Sequence, residues 1–124
     1  MQGNRRRDTS PELALRRTLH ALGYRYRVDH PPLPRLRRRA DLVFTRRRVA
    51  VFVDGCYWHG CPQHYDEPAT NADYWRGKIA RNRERDADTD ARLREVGWTP
   101  VRIWEHEPVD VAIAKVVRAL HAAD

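Results

Sequence analysis

The segment from Val49 to His64, VAVFVDGCYWHGCPQH, constrains this chain more than any other. A short run rich in β-branched residues reads as a buried strand and leads without a linker into Asp54, Cys56, His59, Cys61 and His64. Both cysteines of the protein and two of its histidines fall between Cys56 and His64. The spacing C-x4-C-x2-H lies within the range used by structural zinc sites, so Cys56, Cys61 and His64 are candidate ligands. A fourth ligand must come from elsewhere. His106, just after a late apolar run, is the candidate, and His59 competes for the same role. A strand that ends in such a knot places chemistry at one end of a sheet.

A chain of 124 residues suffices for one core and not for two. The organisation expected is a basic arm over residues 1–9, without apolar periodicity, and a single domain over 10–124. The net charge is +7, with arginines bunched at Arg5–Arg7, at Arg35–Arg39 around Leu36, and at Arg46–Arg48. Bunched guanidinium groups point to a polyanion, most naturally nucleic acid; the plainer alternative is a solvated surface in an arginine-rich protein, since Lys78 and Lys115 are the only lysines. No apolar run approaches the roughly 20 residues of a membrane span, and the N-terminus has no apolar signal region. A cytoplasmic protein is therefore expected, and in a reducing compartment the paired cysteines favour metal over a disulfide.

Helix start and stop signals bracket the first element: Ser10 and Pro11 open it and Gly23 closes it, with Leu15, Leu19 and Leu22 on one stripe. Glu12 shares that apolar stripe, which for a carboxylate requires a reason. Arg25 to Val28 reads as a strand, and the proline-rich DHPPLPR as loop. Two further strands, Ala40 to Thr45 and Val49 to Val53, flank the basic turn Arg46–Arg48. In the first, Asp41 and Val43 face one way and Leu42 and Phe44 the other, as expected of a sheet covered on both sides. Asn71 and Asp73 are candidate caps for a long helix that ends at Val96 before Gly97. Its inward stripe runs through Trp75, Ile79, Asn82, Asp86, Leu93 and Val96, with Thr89 or Asp90 filling the gap. Thr99 to Trp104 forms a last strand and Val109 to Leu120 a last helix. This order predicts an α/β fold, a sheet flanked by helices.

Glu12, Asp41 and Asp86 are thus inward carboxylates on three different elements, and Asp54 ends the strand that neighbours Asp41. Carboxylates gathered at strand and helix ends make an oxygen site for a hard cation such as Mg2+, which takes one or two of them and keeps waters. In a basic protein that site suggests phosphodiester hydrolysis. His59 is a candidate base, with an unperturbed pKa of about 6.5. Tyr57, Trp58 and Trp75 flank the knot and could wedge between base steps; Trp75 could equally be core.

The runs DLVF, VFVDGCYWHGC, YWRGKIARNRERD and GWTPVRIWEHE, spanning roughly Asp8 to Glu107, resemble the very short patch repair (Vsr) endonucleases. The resemblance implies a restriction-endonuclease-like mixed sheet flanked by helices, with a structural Zn2+. It also implies Mg2+-dependent nicking beside the thymine of a T·G mismatch in double-stranded DNA, by a monomer, with a functional link to a cytosine methyltransferase. By position, Asp41 matches the family's metal-binding aspartate, His59 its general base, Asp86 the aspartate that supports the histidine, and Glu12 the first-helix glutamate near the metals. Cys56 matches a zinc cysteine, and Tyr57, Trp58 and Trp75 the intercalating aromatics. Val53 stands in place of a threonine that helps hold Mg2+, leaving its carbonyl to contribute. Asp54 stands in place of a second active-site histidine and adds a carboxylate. Cys61 and His64 replace a slightly different His/Cys arrangement, and His106 replaces a cysteine. Two other functions fit the residues: a restriction-type nuclease with another DNA target, and a zinc-stabilised DNA-binding module without catalysis.

Overall fold

The computed structural model describes residues 10–36, 38–55 and 72–123. The N-terminal arm and the knot from Cys56 to His64 lie outside them. In chain order the elements are α1 (Ser10–Ala21), β1 (Arg27–His30), β2 (Ala40–Phe44), β3 (Val49–Asp54), α2 (Ala72–Glu95), β4 (Thr99–Trp104) and α3 (Val109–Ala122).

The four strands form one mixed sheet in the order β1-β2-β3-β4. Short connections make β1, β2 and β3 antiparallel neighbours, with Val28 opposite Leu42 and Leu42 opposite Val51. β4 lies parallel to β3, Asp54 opposite Trp104, because the chain returns through the long helix α2. The predicted alternation in β2 is what lets both faces be covered. Leu42, Phe44, Val49, Val51, Val101 and Ile103 pack against Leu15 and Leu19 of α1 and Val116 and Leu120 of α3. On the other face Val43, Ala50 and Phe52 pack with Leu93 of α2 and Leu36 of the loop before β2. Helix, sheet and helix therefore form three layers, with α1 and α3 sharing one side.

Both predicted glycine stops hold. Gly23 and Gly97 have φ of 97° and 85°, and each ends its helix in a Schellman turn. Tyr24 N–H donates to Leu19 O (3.1 Å) and Gly23 N–H to His20 O (3.0 Å); Trp98 N–H donates to Leu93 O (2.9 Å) and Gly97 N–H to Arg94 O (3.1 Å). These turns also correct the stripes. Leu22 and Val96 are 57% and 51% exposed, because each sits past its helix end, where the chain has turned away from the core. Tyr24 and Trp98 take their places against the cores. The first strand is displaced two residues from the expected Arg25–Val28, since Tyr24 and Tyr26 are used to close the core edge against Phe44.

Candidate active site

The carboxylates flagged in the sequence come from different elements and meet at one end of the sheet. β2 begins there and β3 ends there, so antiparallel pairing puts Asp41 beside Val53 and Asp54. Val53 N–H donates to Asp41 Oδ2 at 2.7 Å. A cleft of about 360 Å³ opens at this edge, lined by Asp29, Asp41, Asp54, Asp86, Arg38 and Arg102 among others. Three of the predicted carboxylates, together with Val53, therefore share one cavity. Glu12 of α1 is 1% exposed and sits behind it, its Oε2 3.5 Å from Arg16 Nη1.

Asp41 is strongly altered by this placement. Burial first, and then the charges of Glu12, Asp54 and Asp29, push its carboxyl up to about 7 against the lowering effect of the Val53 N–H. A carboxyl raised by burial and by like charge in a cleft is a mark of a functional site. It also describes a place where a hard cation would be favourable, since a cation would reverse both penalties. Among the described residues no three His, Cys, Asp or Glu side chains lie close enough to hold an ion by themselves. Mg2+ needs fewer: one or two carboxylates, a carbonyl and retained waters. The oxygen donors of Asp41, Asp54 and the Val53 carbonyl fit that requirement.

Asp86 and Asp54 are joined by a residue that sequence reasoning did not single out. Arg102, in the middle of β4, places Nη1 at 3.1 Å from Asp54 Oδ1 and 3.5 Å from Asp86 Oδ1, while Nη2 and Nε reach Asp90 Oδ1 at 2.9 and 3.1 Å. Its guanidinium lies over the Phe52 ring, 4.0 Å from the centroid. Burial opposes its charge, but the Asp90 hydrogen bond and the charges of Asp54, Asp90 and Asp86 outweigh this and raise its pKa. The signal was present in TPVRIW: a cation in mid-strand, between the two core residues Val101 and Ile103, must meet carboxylates from the covering helix. Asp86 and Asp90, one turn apart on α2, supply them.

Asp29 was also missed. It closes the cleft from β1 with φ of 48°, a left-handed conformation that Asp tolerates and that sequence does not announce. Arg39 holds it through its carbonyl (2.9 Å) and its carboxylate (3.2 Å). Arg38 fixes the loop before β2 onto α2, donating to Asp88 Oδ2 (2.7 Å), Thr89 Oγ1 (2.8 Å) and Arg85 O (3.2 Å). Two of the bunched arginines are thus structural parts of the cleft wall.

Of the other candidates, Trp75 is partly buried at the start of α2, its ring edge-on to Tyr74 with centroids 5.1 Å apart. His106 lies in the turn after β4. The Asp54–Trp104 register starts that turn at the same sheet end from which the chain leaves toward Cys56. Cys56, Tyr57, Trp58, His59, Cys61 and His64 lie outside the described residues. No helix among the described residues is long and apolar enough to cross a membrane.

Comparison with known proteins agrees with a nuclease. The family described as DNA mismatch endonuclease Vsr matches residues 1–65. A type II nicking enzyme of Lentzea aerocolonigenes, V.NaeI, is 51% identical over 125 residues, covering 98% of this chain and 74% of the relative. A second type II nicking enzyme, V.XorIIP of Xanthomonas oryzae pv. oryzae, is 40% identical over 90% of this chain and 80% of the relative. The DNA mismatch endonuclease Vsr of Escherichia coli (strain K12) is 37% identical over 80% of this chain and 62% of the relative.

Proposed function

The chain belongs to the family of DNA mismatch endonuclease Vsr, and from that premise we propose that it nicks one strand of duplex DNA beside the thymine of a T·G mismatch by Mg2+-dependent phosphodiester hydrolysis. The observation that carries the chemistry is the convergence of Asp41, Asp54 and Asp86 on one cleft. Asp41 and the Val53 carbonyl, with Asp54 beside them, are the groups that would hold Mg2+. Bound there, it supplies a Lewis acid for the scissile phosphate. His59 takes the proton of the attacking water, with Asp86 orienting the imidazole, and Glu12 contributes negative charge from behind Asp41. Arginines hold the flanking phosphates, while Tyr57, Trp58 and Trp75 open the base stack. Cys56, Cys61, His64 and His106 form the proposed structural Zn2+ site, two thiolates and two imidazoles. Repair of such mismatches implies a functional link to a cytosine methyltransferase.

The deciding experiment is a nicking assay on T·G and matched T·A duplexes with Mg2+ or a chelator. Strand-specific, Mg2+-dependent nicking of the T·G duplex is expected. Asp41→Ala should abolish it, and His59→Ala should lower the rate by about 10²- to 10⁴-fold, the usual value of a general base. Equal rates on the two duplexes would overturn the mismatch reading. A second reading, the same chemistry directed at another DNA target, is favoured by the type II nicking enzymes among the relatives. Nicking or double-strand cleavage of matched duplexes would support it.

A further inference from the structure

Arg102 is a half-buried cation that the proposed mechanism does not use, and its contacts span the cleft. Its one guanidinium reaches Asp54 at the end of β3 (3.1 Å), Asp86 on α2 (3.5 Å) and Asp90 one turn further along α2 (2.9 Å), and it is supported from the sheet by Phe52. It also donates to the Asp86 main-chain carbonyl at 3.3 Å. The planar fork of guanidinium donors makes these contacts in fixed directions, which an ammonium group would not. One wall of the cleft is the sheet edge carrying Asp41 and Asp54; the other is α2, carrying Asp86. Arg102 therefore links the two walls through the side chains that the reaction is to use.

We propose that Arg102 is the positioning residue of this active site, setting the separation and orientation of Asp54 and Asp86 across the cleft. This rests on the nuclease reading above. Arg102 acts through these two carboxylates and is assigned no contact with DNA. Its loss should therefore lower the rate of the bound complex and leave DNA affinity in place. Supporting residues of this kind typically change activity by about 10- to 100-fold, because a displacement of roughly 1 Å suffices.

The test uses the full chain and two substrates, a T·G duplex and supercoiled plasmid, with single-turnover rates at saturating DNA and separate measurement of duplex affinity. Arg102→Met removes the charge and roughly keeps the volume; Arg102→Lys keeps the charge without the fork; Asp90→Asn loosens the clamp from its far side while leaving Asp54, Asp86 and Arg102 chemically intact. Folding of each variant is checked by circular dichroism, and rates are expressed per folded molecule. Arg102→Met should lose about 10- to 100-fold in rate with affinity changed less than about threefold. Arg102→Lys should recover part of that loss, and Asp90→Asn should show a smaller loss in the same sense. If Arg102→Met does not fold, Arg102→Lys and Asp90→Asn decide the matter by the same criterion. Folded variants that nick plasmid at the wild-type rate would overturn the proposal, as would a loss confined to DNA affinity. Wild-type plasmid nicking without preference for T·G bears on the proposed target alone, and the variants are then compared on plasmid. A wild-type protein that nicks neither substrate would overturn the nuclease reading, and the role of Arg102 with it.

Discussion

Asp41 shows at the scale of one residue how a site of this kind works against stability. Its folded carboxyl titrates at about 7 against an ordinary 3.8, so the folded chain holds a proton that the unfolded chain has released between those values. Its contribution to stability is fully present below 3.8 and is lost as pH rises to about 7. Protein free of Mg2+ is expected to lose thermal stability across that window. Asp41→Asn should remove most of this dependence and make the Mg2+-free protein more stable at pH 8 by roughly 2 to 4 kcal/mol, while abolishing nicking. Thermal denaturation of both proteins at pH 4 and pH 8 checks this; a variant less stable than wild type at pH 8 would contradict it. Asp54, at the end of the neighbouring strand, is paired with Arg102 at 3.1 Å. The sequence marks both as carboxylates at strand ends, and only the fold shows which groups each one meets.

Among the elements, the helix ends carry a second expectation. Gly97 holds φ of 85°, and among the described residues a Cβ there would meet only Arg48 Nη1 at 3.5 Å, an ordinary contact. The cost of Gly97→Ala is therefore conformational, about 1 kcal/mol for a left-handed alanine, and it should appear as a lower urea midpoint with an unchanged slope. Leu93→Ala is expected to cost more, roughly 2 to 5 kcal/mol, because Leu93 is fully buried and joins α2 to the sheet near Val43 and Phe52. Its measured cost tests whether α2 is held by that contact or by the Arg38 and Arg102 ion pairs. Strand and helix identities were legible because apolar periodicity and glycine stops are local. The shift of β1 and the exposure of Leu22 and Val96 were not, because which residue meets the core depends on where each helix turn releases the chain.

For the whole molecule, the net charge of +7 predicts salt-sensitive DNA binding. The logarithm of affinity should fall linearly with the logarithm of salt concentration, by about 0.9 for each phosphate contact. Arg38 and Arg39 are committed to Asp88 and Asp29 within the fold, so a slope nearer to the number of remaining arginine contacts than to the full arginine count is expected. The proposed Zn2+ site predicts one zinc per chain by elemental analysis, and Cys56→Ser should abolish cooperative unfolding. Metal-free protein as purified, unfolding cooperatively, would rule that site out. The sequence by itself determined the α/β class, the covered sheet, the glycine stops and the carboxylates at strand and helix ends, because periodicity, turn chemistry and a polar residue on an apolar stripe are properties of short segments. The segment that starts at Val49 already read as a buried strand, and it forms β3. Only the tertiary structure decided which carboxylates share a cleft, that Asp29 closes it, and that Arg102 ties Asp54 to Asp86. Those facts depend on the β3–β4 register and on how α2 lies across the sheet, and residues some 50 positions apart meet only once both are set.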